Sequence, residues 1–109
     1  MKSRLLHVIL QSAKNDLKEL KSYLTRQFST STWQQTYELL KQALRRLETQ
    51  PYAGSMPEEI EKLNLTQYRQ VICAMNRIIY EVRDKTLYIH IIADTRRNLQ
   101  ALLLKNLIQ

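Results

Sequence analysis

Residues 68–97 read YRQVICAMNRIIYEVRDKTLYIHIIADTRR, and their apolar residues recur with a period of two. Side chains alternate across a β-strand, so such a run commits its residues to two faces of a sheet. Three segments of this kind follow one another, separated by turn-like breaks, which predicts neighbouring antiparallel strands. In residues 77–82, Ile78, Tyr80 and Val82 point one way, while Arg77, Ile79 and Glu81 point the other. Asp84 and Lys85 form a hairpin turn whose type is open, because it lacks glycine. Leu87, Ile89 and Ile91 then face a core, Tyr88 and His90 face outward, and Ile92 is an apolar exception.

The first half of the chain follows a different period. Leu5, Val8 and Ile9 make a short β-prone segment. Ser12 offers an N-cap, and Asp16 lies in the first turns, where the helix dipole favours a negative charge. Ala13, Leu17, Leu20, Leu24 and Phe28 then fall on one helical face. The polar cluster Ser29, Thr30, Ser31 and Thr32 ends this helix and caps a second over residues 32–49. Its seam is Trp33, Tyr37, Leu40, Leu44 and Leu47, suited to an antiparallel helical hairpin. Pro51 and Gly54 end that helix, the glycine by tolerating a left-handed conformation. Pro57 with Glu58, Glu59 and Glu61 starts a helical turn. Thr95 caps a last helix with Leu99, Leu102, Leu103 and Leu107 as its stripe.

The predicted order is β, α, α, β, β, β, α. It implies an α+β domain spanning residues 1–109: a small antiparallel sheet, a packed N-terminal helical hairpin and a short C-terminal helix. A length of 109 residues supports one domain. A net charge of +7 points to nucleic acid, an acidic protein or an anionic membrane surface as partner. Cys73, the only cysteine, excludes an internal disulfide and lies in a strand pattern as an inert thiol. The start MKSRLLHVILQS has basic Lys2 and Arg4, but His7 and Gln11 interrupt its apolar run and no small-residue cleavage site follows. A strand is expected there, and no segment has the length of a membrane span. The chain is therefore expected in the cytoplasm, without a membrane partner. No His, Cys or carboxylate cluster has metal-ligand spacing, so neither a metal nor another cofactor is expected.

Several segments together resemble the RelE/ParE superfamily of bacterial toxins from type II toxin–antitoxin modules. They are Ser12, Ala13, Asp16 and Leu17; Leu47, Pro51 and Gly54; Tyr68 and Arg69; the run NRIIYEV at residues 76–82; and Asp94, Thr95, Arg96 and Arg97. The resemblance implies a cognate antitoxin whose extended acidic and apolar tail wraps the toxin in a hetero-oligomer. It also implies one of two activities, cleavage of mRNA on the ribosome or poisoning of DNA gyrase.

In the RelE-like branch the resemblance assigns phosphate gripping to Arg69, Arg77 and Arg97, with Arg96 as the alternative to Arg97. Val71 stands where that branch has a second lysine, and Leu103 where it has a tyrosine. RNA cleavage by 2′-hydroxyl attack needs a base, an acid and cations over the phosphate. Arginine supplies only the last, and His90 is the one titratable candidate in that half of the chain. The ParE-like branch fits better: long helices, an Arg96–Arg97 pair and a leucine-rich end ALLLKNLI. A gyrase poison needs a binding surface and no proton shuttle. Arg69, Arg77, Arg96, Arg97 and Lys105 are its candidate target-contacting residues. The structural alternative pairs Arg77 with Glu81 and Arg97 with Asp94, and treats Trp33 and Tyr37 as hairpin core.

Overall fold

The change of period divides the chain into helices and sheet much as expected. The computed structural model describes residues 4–107; Lys2 and Ile108 lie outside them. Strand β1 (Leu6–Ile9) leads into helices α1 (Gln11–Gln27) and α2 (Thr30–Thr49). A short α3 (Glu58–Lys62) precedes β2 (Tyr68–Cys73), β3 (Asn76–Arg83) and β4 (Thr86–Asp94), and α4 (Leu99–Asn106) closes the chain. The sheet order is β1-β4-β3-β2. β2, β3 and β4 are antiparallel, as predicted, but β1 joins β4 in parallel, so the sheet is mixed.

Both faces of the sheet are covered. On one, Leu40, Leu44 and Leu47 of α2 and Ala13 of α1 enclose Ile78, Tyr80, Leu87, Ile89 and Ile92. On the other, Ile60 of α3 and Leu99, Leu102 and Leu103 of α4 enclose Tyr68, Ile79, Ile91 and Ala93. Ile91 therefore faces α4, whereas the strict alternation put it with Leu87 and Ile89. The cause is a bulge. Ile79 lies opposite Ile91 and Tyr80 opposite Ile89, so His90 is an extra residue that reverses the phase of β4. The bulge also accounts for Ile92, which returns to the hairpin face.

Local details depart from the sequence reading where tertiary partners compete. Ser12 does not cap α1; its hydroxyl donates to the His90 carbonyl at 2.8 Å. Asp16 lies beyond the first turn and accepts the Ile92 amide at 2.9 Å. β1 ends opposite Ile89, so these two side chains serve the edge of β4 that β1 leaves unpaired. Ser29 caps α2 through the Thr32 amide, as predicted. Asn98, not Thr95, caps α4 by accepting the Ala101 amide.

Gly54 has no left-handed conformation. Its role is close approach, because a Cβ there would lie 2.4 Å from Tyr80 Oη and 2.8 Å from the Gln70 carbonyl oxygen. The left-handed positions are elsewhere: Asn64 (φ 57°) follows α3, Ala74 (φ 50°) and Met75 (φ 62°) form the β2–β3 turn, and Asp84 (φ 54°) the β3–β4 turn. Trp33 and Tyr37 stack on one another at 5.1 Å, with the Lys41 ammonium over the Tyr37 ring. Tyr37 remains exposed, so this end of the seam is a surface ladder rather than hairpin core.

Candidate functional site

The five basic residues nominated from the sequence do not form one site. Arg69 lies opposite Tyr80 in the β2–β3 ladder and shares its hairpin-facing side. Its Nη1 donates to the Gly54 carbonyl at 3.0 Å, and its guanidinium sits over the Tyr52 ring. Arg77 lies opposite Ile72 and Ala93, on the face covered by α3 and α4. The sheet separates the two guanidinium groups, so they cannot straddle a single phosphate.

Arg77 is also bonded differently from the Glu81 pairing considered above. Its Nη1 donates to Gln70 Oε1 and its Nη2 to the Thr95 carbonyl, each at 3.1 Å. Its Nε is buried without a partner among the described residues. Leaving a buried donor unsatisfied costs about 1–3 kcal/mol. Glu81 instead accepts from His90 Nε2 at 2.9 Å and Arg83 Nη2 at 3.2 Å.

Arg96, Arg97 and Lys105 gather near the end of β4. Asp94 takes Arg96 in a two-point bond, with Nε and Nη2 both at 2.9 Å. That fork and the Arg96 main-chain amide hold the Asp94 carboxyl below its ordinary range. The Asp94 partner is therefore Arg96 and not Arg97. Arg97 is exposed, and with Lys105 it exerts a positive field on Asp16. Burial nevertheless raises the Asp16 carboxyl, outweighing the Ile92 amide bond. Asp16, Glu19, Asp94, Arg96 and Arg97 all line one groove of about 390 Å³. Its acids offset its bases, so the mouth is not a field that collects anions.

The alternation of the sequence missed a third cluster. His90 packs edge-on against Tyr68 with ring centroids 5.0 Å apart, and its side chain is 14% exposed rather than outward-facing. Burial, then the Glu81 charge, raises the Tyr68 phenol. His90 keeps the face that alternation gives it, away from Leu87 and Ile89, but that face carries a second core, and Tyr68 and Glu81 enclose the imidazole there. The cluster contains groups able to move protons, but Arg83 is its only neighbouring guanidinium among the described residues. Leu103, at the position of the RelE-type tyrosine, is wholly enclosed in the α4 core.

Burial raises the Cys73 thiol, which donates to the Leu39 carbonyl, consistent with an inert role. Among the described residues no group of three His, Cys, Asp or Glu is placed to hold a metal ion. None of their helices is long and apolar enough to cross a membrane.

Comparison with known proteins agrees with this architecture. No curated protein matches the chain in sequence. A solved structure described as the chromosomal ParDE TA system from P. aeruginosa superposes with a TM-score of 0.69 at 13% identity, covering 86% of this chain and 98% of that one. At that identity the likeness is one of fold. Residues 8–99 match the family described as the ParE toxin of type II toxin-antitoxin system, parDE. The match spans most of the sequence, and it carries with it the helical hairpin, the sheet and the start of the last helix: the chain belongs to the ParE toxin family.

Proposed function

We propose that this ParE-family toxin acts by gripping DNA gyrase, with no bond-breaking step of its own. One observation carries the proposal: Arg69 and Arg77 occupy opposite faces of the sheet. A ribonuclease must converge its cations on one phosphate and set a base and an acid beside it. Here the cations diverge, and the enclosed His90 is paired with Glu81. Gyrase as target comes from the resemblance to the ParE-like branch, as does the part given to the C-terminal segment. The exposed side of α4 carries Leu104 and Lys105, and Arg97 is exposed just before it. These three are the proposed contact group. A cognate antitoxin, in a hetero-oligomer with the toxin, is the proposed restraint.

The obvious deletion is a poor test. Removing the last ten residues takes away Leu102 and Leu103, both buried against the sheet. Burying each such side chain is worth about 1.5–3 kcal/mol, a large share of a domain's margin of about 5–15 kcal/mol. Point changes on the exposed side are preferable. Leu104→Glu together with Lys105→Glu should abolish inhibition of gyrase supercoiling while leaving the thermal transition near wild type. Arg77→Ala should leave that inhibition intact. The reverse outcome, with Arg77→Ala silencing the toxin and the α4 variant fully active, would favour an mRNA interferase.

A further inference from the structure

Helix α1 keeps its charges apart. Its acids, Asp16 and Glu19, line the groove that also holds Asp94, Arg96 and Arg97. Its bases, Lys14, Lys18, Lys21 and Arg26, are all exposed and line no part of that groove. Residues three or four apart on a helix are neighbours. Lys14, Lys18 and Lys21 therefore make one row, and Lys18, Ser22 and Arg26 a second that joins it. At 1.5 Å of rise per residue the set extends about 18 Å along the helix. Lys18, Lys21, Ser22, Thr25 and Arg26 line a shallow depression there, with no carboxylate and no apolar side chain among them.

Lysines on a merely solvated helix face are commonly set beside acids. α2 and α3 follow that rule, with Lys41 on Glu38 at 3.1 Å and Lys62 on Glu58 at 3.0 Å. Lys14, Lys18 and Lys21 do not: among the described residues none has a carboxylate within ion-pair distance. Like charges at this spacing repel and destabilise a helix, so the row is unfavourable until an anion lies across it. Arg26 is anchored beside it, its Nε donating to the Ser22 carbonyl at 3.2 Å.

We propose that the outer face of α1 binds the phosphate backbone of duplex DNA, with Lys14, Lys18, Lys21 and Arg26 on phosphates and the Ser22 and Thr25 hydroxyls beside them. Phosphate contacts draw on this inventory of lysine, arginine and hydroxyl side chains, and they carry no sequence information. The binding is therefore independent of sequence. An acidic protein needs an apolar centre to such a patch, and an anionic membrane needs apolar side chains to bury; the depression offers neither. A duplex carries roughly one negative charge per 1.7 Å of its axis, twice the density of a single strand, so a straight row of cations gains most from a duplex. That the duplex is DNA and not RNA rests on the gyrase reading above, because a poison that leaves cleaved DNA in the enzyme works beside such a duplex.

The test is fluorescence anisotropy with the full-length toxin alone and a short labelled DNA duplex of mixed sequence, over a series of salt concentrations. Four cations on four phosphates give a slope of log affinity against log salt of about −3.6. Lys14→Gln, Lys18→Gln and Lys21→Gln together should bring it to about −0.9 and leave the thermal transition near wild type. Lys62→Gln with Lys85→Gln removes charge elsewhere and should leave the slope unchanged. NMR of the unaltered protein should show the duplex shifting main-chain amides of residues 14–26, which decides the matter even if the triple variant fails to fold. An unchanged slope in the triple variant, an equal loss in the Lys62 and Lys85 control, or amide shifts confined to other elements would overturn the proposal. Tighter binding of an RNA duplex of the same sequence, or of polyglutamate, would overturn it as well. No gyrase is present in this measurement, so duplex binding and inhibition of supercoiling fail separately.

Discussion

Asp16 Oδ2 accepts the main-chain amide of Ile92 at 2.9 Å, so a helix side chain completes the sheet edge where β1 stops. Asp16→Asn keeps an oxygen for that amide and should retain the fold. Asp16→Leu orphans it and should cost about 1–3 kcal/mol. The pH dependence follows from the raised carboxyl. The folded state binds this proton more tightly than the unfolded chain, so ionisation of Asp16 lowers stability as pH rises from the ordinary value of 3.8 through the raised one. Thermal melts should therefore show Asp16→Asn gaining on the wild type across that window. A relative loss would contradict the assigned burial.

A second prediction concerns the chain's one glycine. The enclosed Tyr80 hydroxyl accepts the Gly54 amide at 3.0 Å and donates to the Pro51 carbonyl at 2.8 Å. Gly54→Ala drives a methyl into this contact and should destabilise by about 1–3 kcal/mol, as overpacking does. Tyr80→Phe leaves the Gly54 amide without its acceptor and should cost a similar amount, about 1–3 kcal/mol. Chemical denaturation measures both.

The β2–β3 turn supplies a change of opposite sign. Ala74 and Met75 both take positive φ without being glycine, a conformation costing roughly 1–2 kcal/mol per residue. The turn is held by Asn76 Nδ2 donating to the Ala74 carbonyl and by the Thr95 amide donating to the Met75 carbonyl. The Met75 side chain is exposed, so Met75→Gly loses little packing. It should raise stability by about 0.5–1 kcal/mol after the added freedom of the unfolded chain is subtracted. A lower melting temperature would mean that the methionine side chain is needed where it stands.

Arg69 and Arg77 provide a test through additivity. Residues that grip one phosphate act as a unit, so a double replacement is scarcely worse than either single one. Residues on opposite faces with separate partners act independently, and the effects of Arg69→Ala and Arg77→Ala on stability should add to within about 0.5 kcal/mol. A large coupling would argue that the two share a site.

The sequence made the fold legible wherever one period ran undisturbed. The hairpin core of Leu40, Leu44 and Leu47 and the strand face of Ile78 and Tyr80 lie where spacing put them. What spacing does not encode is the phase change at His90, which moved Ile91 to the other core, or the second core that encloses the imidazole on its own face. Nor does it encode competition for a polar side chain. Ser12 and Asp16 have the character of helix-start residues, yet the unfilled edge of β4 took both. Gly54 is required by a close approach of Tyr80, which arises only once distant segments meet. The candidate site was least legible. Arginines spaced along neighbouring strands look like one cluster until register assigns each to a face.

The most direct test of the account pairs two reactions on one preparation of the toxin. Supercoiling by DNA gyrase is followed on plasmid, and the integrity of a translated message is followed in a ribosome extract. The account predicts that supercoiling falls and cleaved DNA accumulates while the message stays whole. Cut message with gyrase unaffected would contradict it.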